Sequence, residues 1–172
     1  MSPAPKSDSD RVLRQSVLDR LIDLDRGAAM DPPSTWGQSV RQLKAALCRD
    51  LEWLLNTRKP LVELPDGCEN LEQSLLLYGV TDISSLSRDD MARHAQLAKD
   101  VERAVSTFEP RLANVRVSIA SAEKGAEGGP IRELRFVVEG LLRIDPEPEQ
   151  VVFDTVLEVS TGDYHVRSDG GA

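Results

Sequence analysis

At Pro110 the hydrophobic rhythm of this chain changes, and no other feature restricts its fold so tightly. Before it, Met91, Ala98, Val101, Val105 and Phe108 recur at helical spacing over residues 88 to 108. After it, Leu112, Val115, Val117 and Ile119 lead into a period of two, which is strand spacing. Proline lacks an N–H, fixes its own φ and disfavours helix at the residue before it. A helix therefore stops at Glu109, and Pro110 sets the direction in which the strand leaves.

The rest of the chain falls on either side of this joint. Upstream, residues 11 to 25 carry Leu13, Val17, Leu21 and Leu24 as one stripe, widened by Val12, Leu18 and Ile22. The Gly- and Pro-containing stretch after it reads as a linker. Residues 38 to 57 predict the longest helix, with Val40, Leu43, Leu47, Leu51 and Leu54 inward, Asp50 and Glu52 opposite, and Ser39 as N-cap. Trp53 lies off the stripe and is expected to be buried, as large aromatics usually are. The stretch "NLEQSLLLYGV" predicts two helical turns closed by Gly79, and Ser85 and Ser87 are candidate caps for the following helix. His94 lies on or near the inward stripe of that helix and reads as a satisfied boundary residue.

Downstream, Leu134, Phe136, Val138 and Leu142 share one face of a second strand, and Val151, Phe153, Thr155, Leu157 and Val159 align on a third. "TGDYHV" permits a hairpin into a short fourth strand. Helices first and strands last predict an α+β domain, with N-terminal helices on one face of a small antiparallel or mixed sheet. The expected organisation is a flexible tail, short amphipathic helix and linker over 1–37, a folded domain over 38–167, and a tail over 168–172.

Composition narrows the function. The net charge of −8 argues against nucleic acid or an anionic membrane as the main partner. No apolar run approaches the roughly 20 residues of a membrane helix, and the polar N-terminus has no signal-peptide core. Cys48 and Cys68 read as reduced thiols of a soluble, cytosolic protein. His94, His165 and two distant cysteines match no zinc spacing, and "GAEGG" lacks the phosphate-loop pattern, so no cofactor is expected. A glycosidase needs one carboxyl group that keeps its proton. Glu109 is the best placed, but a guanidinium two residues away favours ionised carboxylates, so no enzyme activity is expected.

The blocks "RDLEWLLNTR", "LLLYGVTDISSLS", "FEPRLANVRV" and "GLLRIDPEPEQVVFDTVLEVSTGDYHV" together resemble the TssE family, the small baseplate subunits of bacterial type VI secretion systems. They are similar also to the phage baseplate wedge proteins historically labelled gp25-like lysozymes. The resemblance runs from about residue 16 to 166. It implies a cytoplasmic assembly protein at the membrane-proximal baseplate, joined to TssF, TssG and TssK, with a fold similar to the C-terminal part of contractile sheath subunits. It would then offer the first platform for the TssB/TssC sheath. The alternative that the old label suggests is a peptidoglycan-cleaving enzyme. The Glu-Pro-Arg triplet is the family signature, associated with docking to the wedge, which carries over to Glu109, Pro110 and Arg111.

The residues themselves fit that role. Arg111 presents a rigid fork of donors suited to a carboxylate or to carbonyls across an interface. The alternative is an intramolecular Glu–Arg clamp bracing helix against sheet. Sheath contact would use an open sheet edge that accepts strands from another chain. The third strand, with Val151, Phe153, Thr155, Leu157 and Val159, and the segment 163 to 167 are the candidate edges; pairing on both sides would remove the third strand. Val17, Leu18 and Leu21 are the candidate second docking helix, the alternative being that this helix packs back on its own domain.

Overall fold

The computed structural model describes residues 16–21, 36–62, 64–65, 67–81, 91–124, 131–145 and 147–168. The chain divides into two compact units, Met1–Leu47 and Cys48–Ala172.

In the first unit, α1 spans Val17–Leu21. Ser16 caps it: its hydroxyl accepts the Asp19 N–H at 3.1 Å and donates to the Asp19 carboxylate at 2.6 Å. Val17, Leu18 and Leu21 are all exposed. The flanking turns expected at 11–15 and 22–25, and the linker up to residue 35, lie outside the described residues.

Helix α2, Trp36–Asn56, crosses the boundary between the units. It begins two residues before the expected 38, so Ser39 is buried inside the helix and does not cap it. Val40, Leu47, Leu51 and Leu54 of the predicted stripe are buried, together with Leu55. Trp53 corrects the burial expectation, being 52% exposed. Arg49, one turn earlier, lies over the indole at 5.0 Å from its centroid, so a cation and not the core covers that face.

After α2 the chain crosses back on itself. The Val80 N–H donates to the Thr57 carbonyl at 2.9 Å and the Lys59 N–H to the Val80 carbonyl at 3.0 Å. Gly79 makes this crossing possible: its φ is +112°, and a Cβ there would run into the Thr57 carbonyl. The expected α-helical turns before it are instead two 3₁₀ turns, Glu69–Gln73 and Leu75–Leu77, because Ser74 between them is extended. Helix α3 follows as Met91–Phe108, burying His94, Leu97, Ala98, Val101, Ala104 and Val105. The candidate caps Ser85 and Ser87 and residues 88–90 lie outside the described residues.

Four strands complete the second unit: β1 (Leu112–Lys124), β2 (Ile131–Leu142), β3 (Glu149–Glu158) and β4 (Tyr164–Ser168). All pair antiparallel, in the order β1-β2-β3-β4. The predicted alternation holds: Leu134, Phe136, Val138 and Leu142 on β2, and Val151, Phe153, Thr155 and Leu157 on β3, are buried, as are Tyr164 and Val166 on β4. Helices followed by an antiparallel sheet make this an α+β fold, as expected. Asn114 sits at φ +52° where the β1–β2 register shifts between Ala113 and Arg116, a bulge that a non-glycine residue tolerates best as asparagine.

The pairing corrects the edge expectation. β3 is hydrogen-bonded to β2 along its whole length and to β4 from Phe153 to Leu157, so it is an interior strand there. The inward side chains Val151, Phe153, Thr155 and Leu157 belong to the core. Val159 lies past the end of β3, and its N–H donates to the Arg132 carbonyl at 2.9 Å. The edges of the sheet are β1 and β4.

Candidate functional site

The joint at Pro110 is a tight turn. Glu109 ends the helical bonding of α3 through its N–H to the Val105 carbonyl at 2.9 Å. The Glu109 carbonyl then accepts the Leu112 N–H at 3.1 Å, which places Pro110 at the second position of a four-residue turn. Proline favours that position because its φ is already set. The Arg111 carbonyl accepts the Arg143 N–H at 2.8 Å, so the turn is tied to the far end of β2.

The two charges of the triplet face each other. Arg111 Nε donates to Glu109 Oε1 at 2.8 Å and Nη2 to Oε2 at 2.5 Å, while the Arg111 N–H also reaches Oε1 at 3.1 Å. Both carboxylate oxygens of Glu109 therefore accept from Arg111. The Glu109 side chain is only 6% exposed and Arg111 27%. The intramolecular clamp among the sequence alternatives is thus built.

A third member comes from α2. Arg111 Nη2 donates to Asp50 Oδ2 at 2.6 Å, and Asp50 Oδ1 accepts Arg49 Nε and Nη2 at 3.0 and 2.7 Å. The result is a chain of groups running Glu109–Arg111–Asp50–Arg49, ending on the exposed face of Trp53. Hydrogen bonding to Glu109, and after burial's opposing pull to Asp50, raises the Arg111 pKa still further above its ordinary value. Tyr78 stands beside the cluster: burial, then the negative charges of Asp50 and Glu109, push its phenol up. Its ring meets Phe108 edge to face at 5.2 Å. Three separate blocks, "RDLEW", "LLLYG" and "FEPRL", therefore converge on one spot.

Sequence reading placed Glu109, Pro110 and Arg111 here but passed over Asp50, noting it only as a residue opposite the apolar stripe. The available signal was stoichiometric: a guanidinium fork has more donors than one carboxylate takes. Val17, Leu18 and Leu21 are on α1, and Val151, Phe153, Thr155 and Leu157 line the core under the sheet. Among the described residues there is no group of three or more His, Cys, Asp or Glu that could hold a metal ion, and no helix long and apolar enough to cross a membrane.

Residues 41–147 match the model of one family, baseplate wedge protein gp25. No curated protein and no solved structure gives a significant match.

Proposed function

The chain belongs to the baseplate wedge protein gp25 family, and from that premise we propose that it is the small baseplate subunit of a type VI secretion system. It docks to the TssF–TssG wedge and TssK through Glu109, Pro110 and Arg111, and it starts the TssB/TssC sheath by strand addition. The observation that carries this reading is the family match over more than half of the chain, which spans every residue of the Arg111 cluster. The cluster suits docking: Pro110 is exposed, Arg111 is partly so, and Trp53 adds an aromatic anchor held by Arg49. A clamp that fixes Arg111 in place also presents it, so the bracing role and the docking role coexist.

Strand addition belongs on β1 in this reading. β1 is an edge strand of 13 residues; among the described residues its one strand partner is β2, and Glu102 of α3 accepts its Val117 N–H at 2.9 Å. The exposed Val17, Leu18 and Leu21 of α1 form a second wedge contact. No step of this work is catalytic. With both Glu109 oxygens taken by Arg111, pure protein is expected to give no loss of turbidity from a cell-wall suspension.

The test is a pull-down of the TssF–TssG wedge by wild type and Arg111→Ala, with circular dichroism on both. A folded variant that loses the wedge supports docking at the triplet. A folded variant that binds like wild type overturns it.

A further inference from the structure

The outer edge of β4 is not open. Asn56, the last residue of α2, grips the main chain of Tyr164 from both sides: its amide donates to the Tyr164 carbonyl at 2.9 Å, and its oxygen accepts the Tyr164 N–H at 2.8 Å. An asparagine side chain here makes the pair of bonds that a neighbouring strand would make. One turn back along α2, Glu52 accepts the Val166 N–H at 3.4 Å, and its other oxygen lies 3.5 Å from His165 Nδ1. One further turn back, Cys48 lies close enough to Ser168 for that residue to lower the thiol's pKa. Just past the helix, Arg58 Nη2 donates to the Gly162 carbonyl at 2.6 Å.

The spacing explains why the series works. Residues 48, 52 and 56 are four apart and so share one face of a helix, about 6 Å per step. Tyr164, Val166 and Ser168 are two apart on a strand, about 6.8 Å per step, and their main-chain groups point to the same side. A helix laid antiparallel to a strand therefore offers one side chain for each outward-facing residue.

We propose that Glu52 and Asn56 lock the β4 edge and so decide which edge of this sheet takes a strand from another chain. An unpaired edge is a template for pairing. With Glu52 and Asn56 on β4, strand addition falls to β1, where Glu102 of α3 takes one outward N–H, that of Val117, at 2.9 Å, and a second copy of the chain has no β4 edge to pair with. The choice of edge rests on the strand-addition reading above; the lock itself does not.

Sedimentation velocity over a concentration series tests it on the full chain, comparing wild type with Glu52→Ala/Asn56→Ala. Wild type is expected to remain one species. The double variant, folded by circular dichroism, is expected to self-associate at least tenfold more tightly, with the Tyr164 and Val166 amides slow to exchange only in the associated form. A folded double variant that sediments like wild type at every concentration overturns the proposal, as does a wild type that itself associates through β4. If the double variant does not fold, Asn56→Asp replaces it. That change keeps the acceptor for the Tyr164 N–H and sets a carboxylate against the Tyr164 carbonyl, and the same two outcomes decide. Wedge and sheath recruitment by wild type separates the two readings: self-association of the double variant without any recruitment by wild type leaves the lock standing and removes the assembly role.

Discussion

Helix α2 uses two polar faces in two different ways. On one, Arg49 and Asp50 bind other side chains, ending on Arg111 and Glu109. On the other, Glu52 and Asn56 bind main chain, at Val166 and Tyr164. The difference decides what each face can do. Side-chain partners are adjustable, since a guanidinium shared by two carboxylates can turn part of its fork to a third acceptor without moving the backbone. Main-chain partners are fixed by the register of the sheet, and releasing them means opening an edge. In the proposed reading, the first face exchanges with another protein and the second is closed to one.

The largest effect expected from breaking this contrast is at Arg111. Arg111→Ala removes every side-chain donor to Glu109, whose carboxylate is nearly buried. Leaving such a group without its partner is expected to cost about 2–3 kcal/mol, read as a lower denaturation midpoint at unchanged m-value. Arg111→Lys restores the charge but not the fork and is expected to recover less than half of the loss. A cost below about 0.5 kcal/mol for the alanine variant means that the cluster does not brace the fold.

Asn56→Ala comes next, at about 1–2 kcal/mol. Two hydrogen bonds go, but the Tyr164 N–H and carbonyl then lie at an edge that water reaches. The Tyr164 amide should exchange faster in this variant while the β2–β3 ladder keeps its protection. Equal acceleration across β2, β3 and β4 would mean that Asn56 holds the whole sheet and not the edge.

How far each face could be read from sequence follows from the range of its contacts. The stop at Pro110, the strand alternation from Leu134 to Leu142 and the α+β order depend on neighbours within a few residues, and they were legible. Arg111 and Glu109 are two residues apart, so their pairing was legible as one of two alternatives. Asp50 is 61 residues from Arg111, and Asn56 is 108 from Tyr164; no local pattern announces either. β3 was expected at an edge because its own pattern does not record that β4 folds back onto Phe153–Leu157. Trp53 was expected inside because aromatic burial is a sound general rule, and here Arg49 stacks on it instead.

A smaller effect separates the two carboxylates of the first face. Asp50→Ala leaves Arg111 in the grip of Glu109 and is expected to cost about 1 kcal/mol, less than half the Arg111→Ala loss. In a double-mutant cycle the two changes should be strongly non-additive, because both remove the same bond. Additive costs would place Asp50 outside the cluster energetically, whatever its distance.

The smallest effect is a rate, and it reads the second face without disturbing it. Cys68 is exposed, whereas Cys48 lies half-buried at the end of the Glu52–Asn56 series. Burial pushes the Cys48 thiol above its ordinary pKa, against a weaker lowering by Ser168. Since the thiolate is the reacting form, Cys48 should alkylate well after Cys68 at neutral pH and gain speed only as pH rises toward that raised pKa. If the series acts as one unit, Asn56→Ala will speed Cys48 several-fold although the two residues are two helical turns apart, because Ser168 loosens with the rest of β4. If Cys48 keeps its wild-type rate, each contact holds its own backbone group independently, and a partner strand could open the β4 edge one residue at a time.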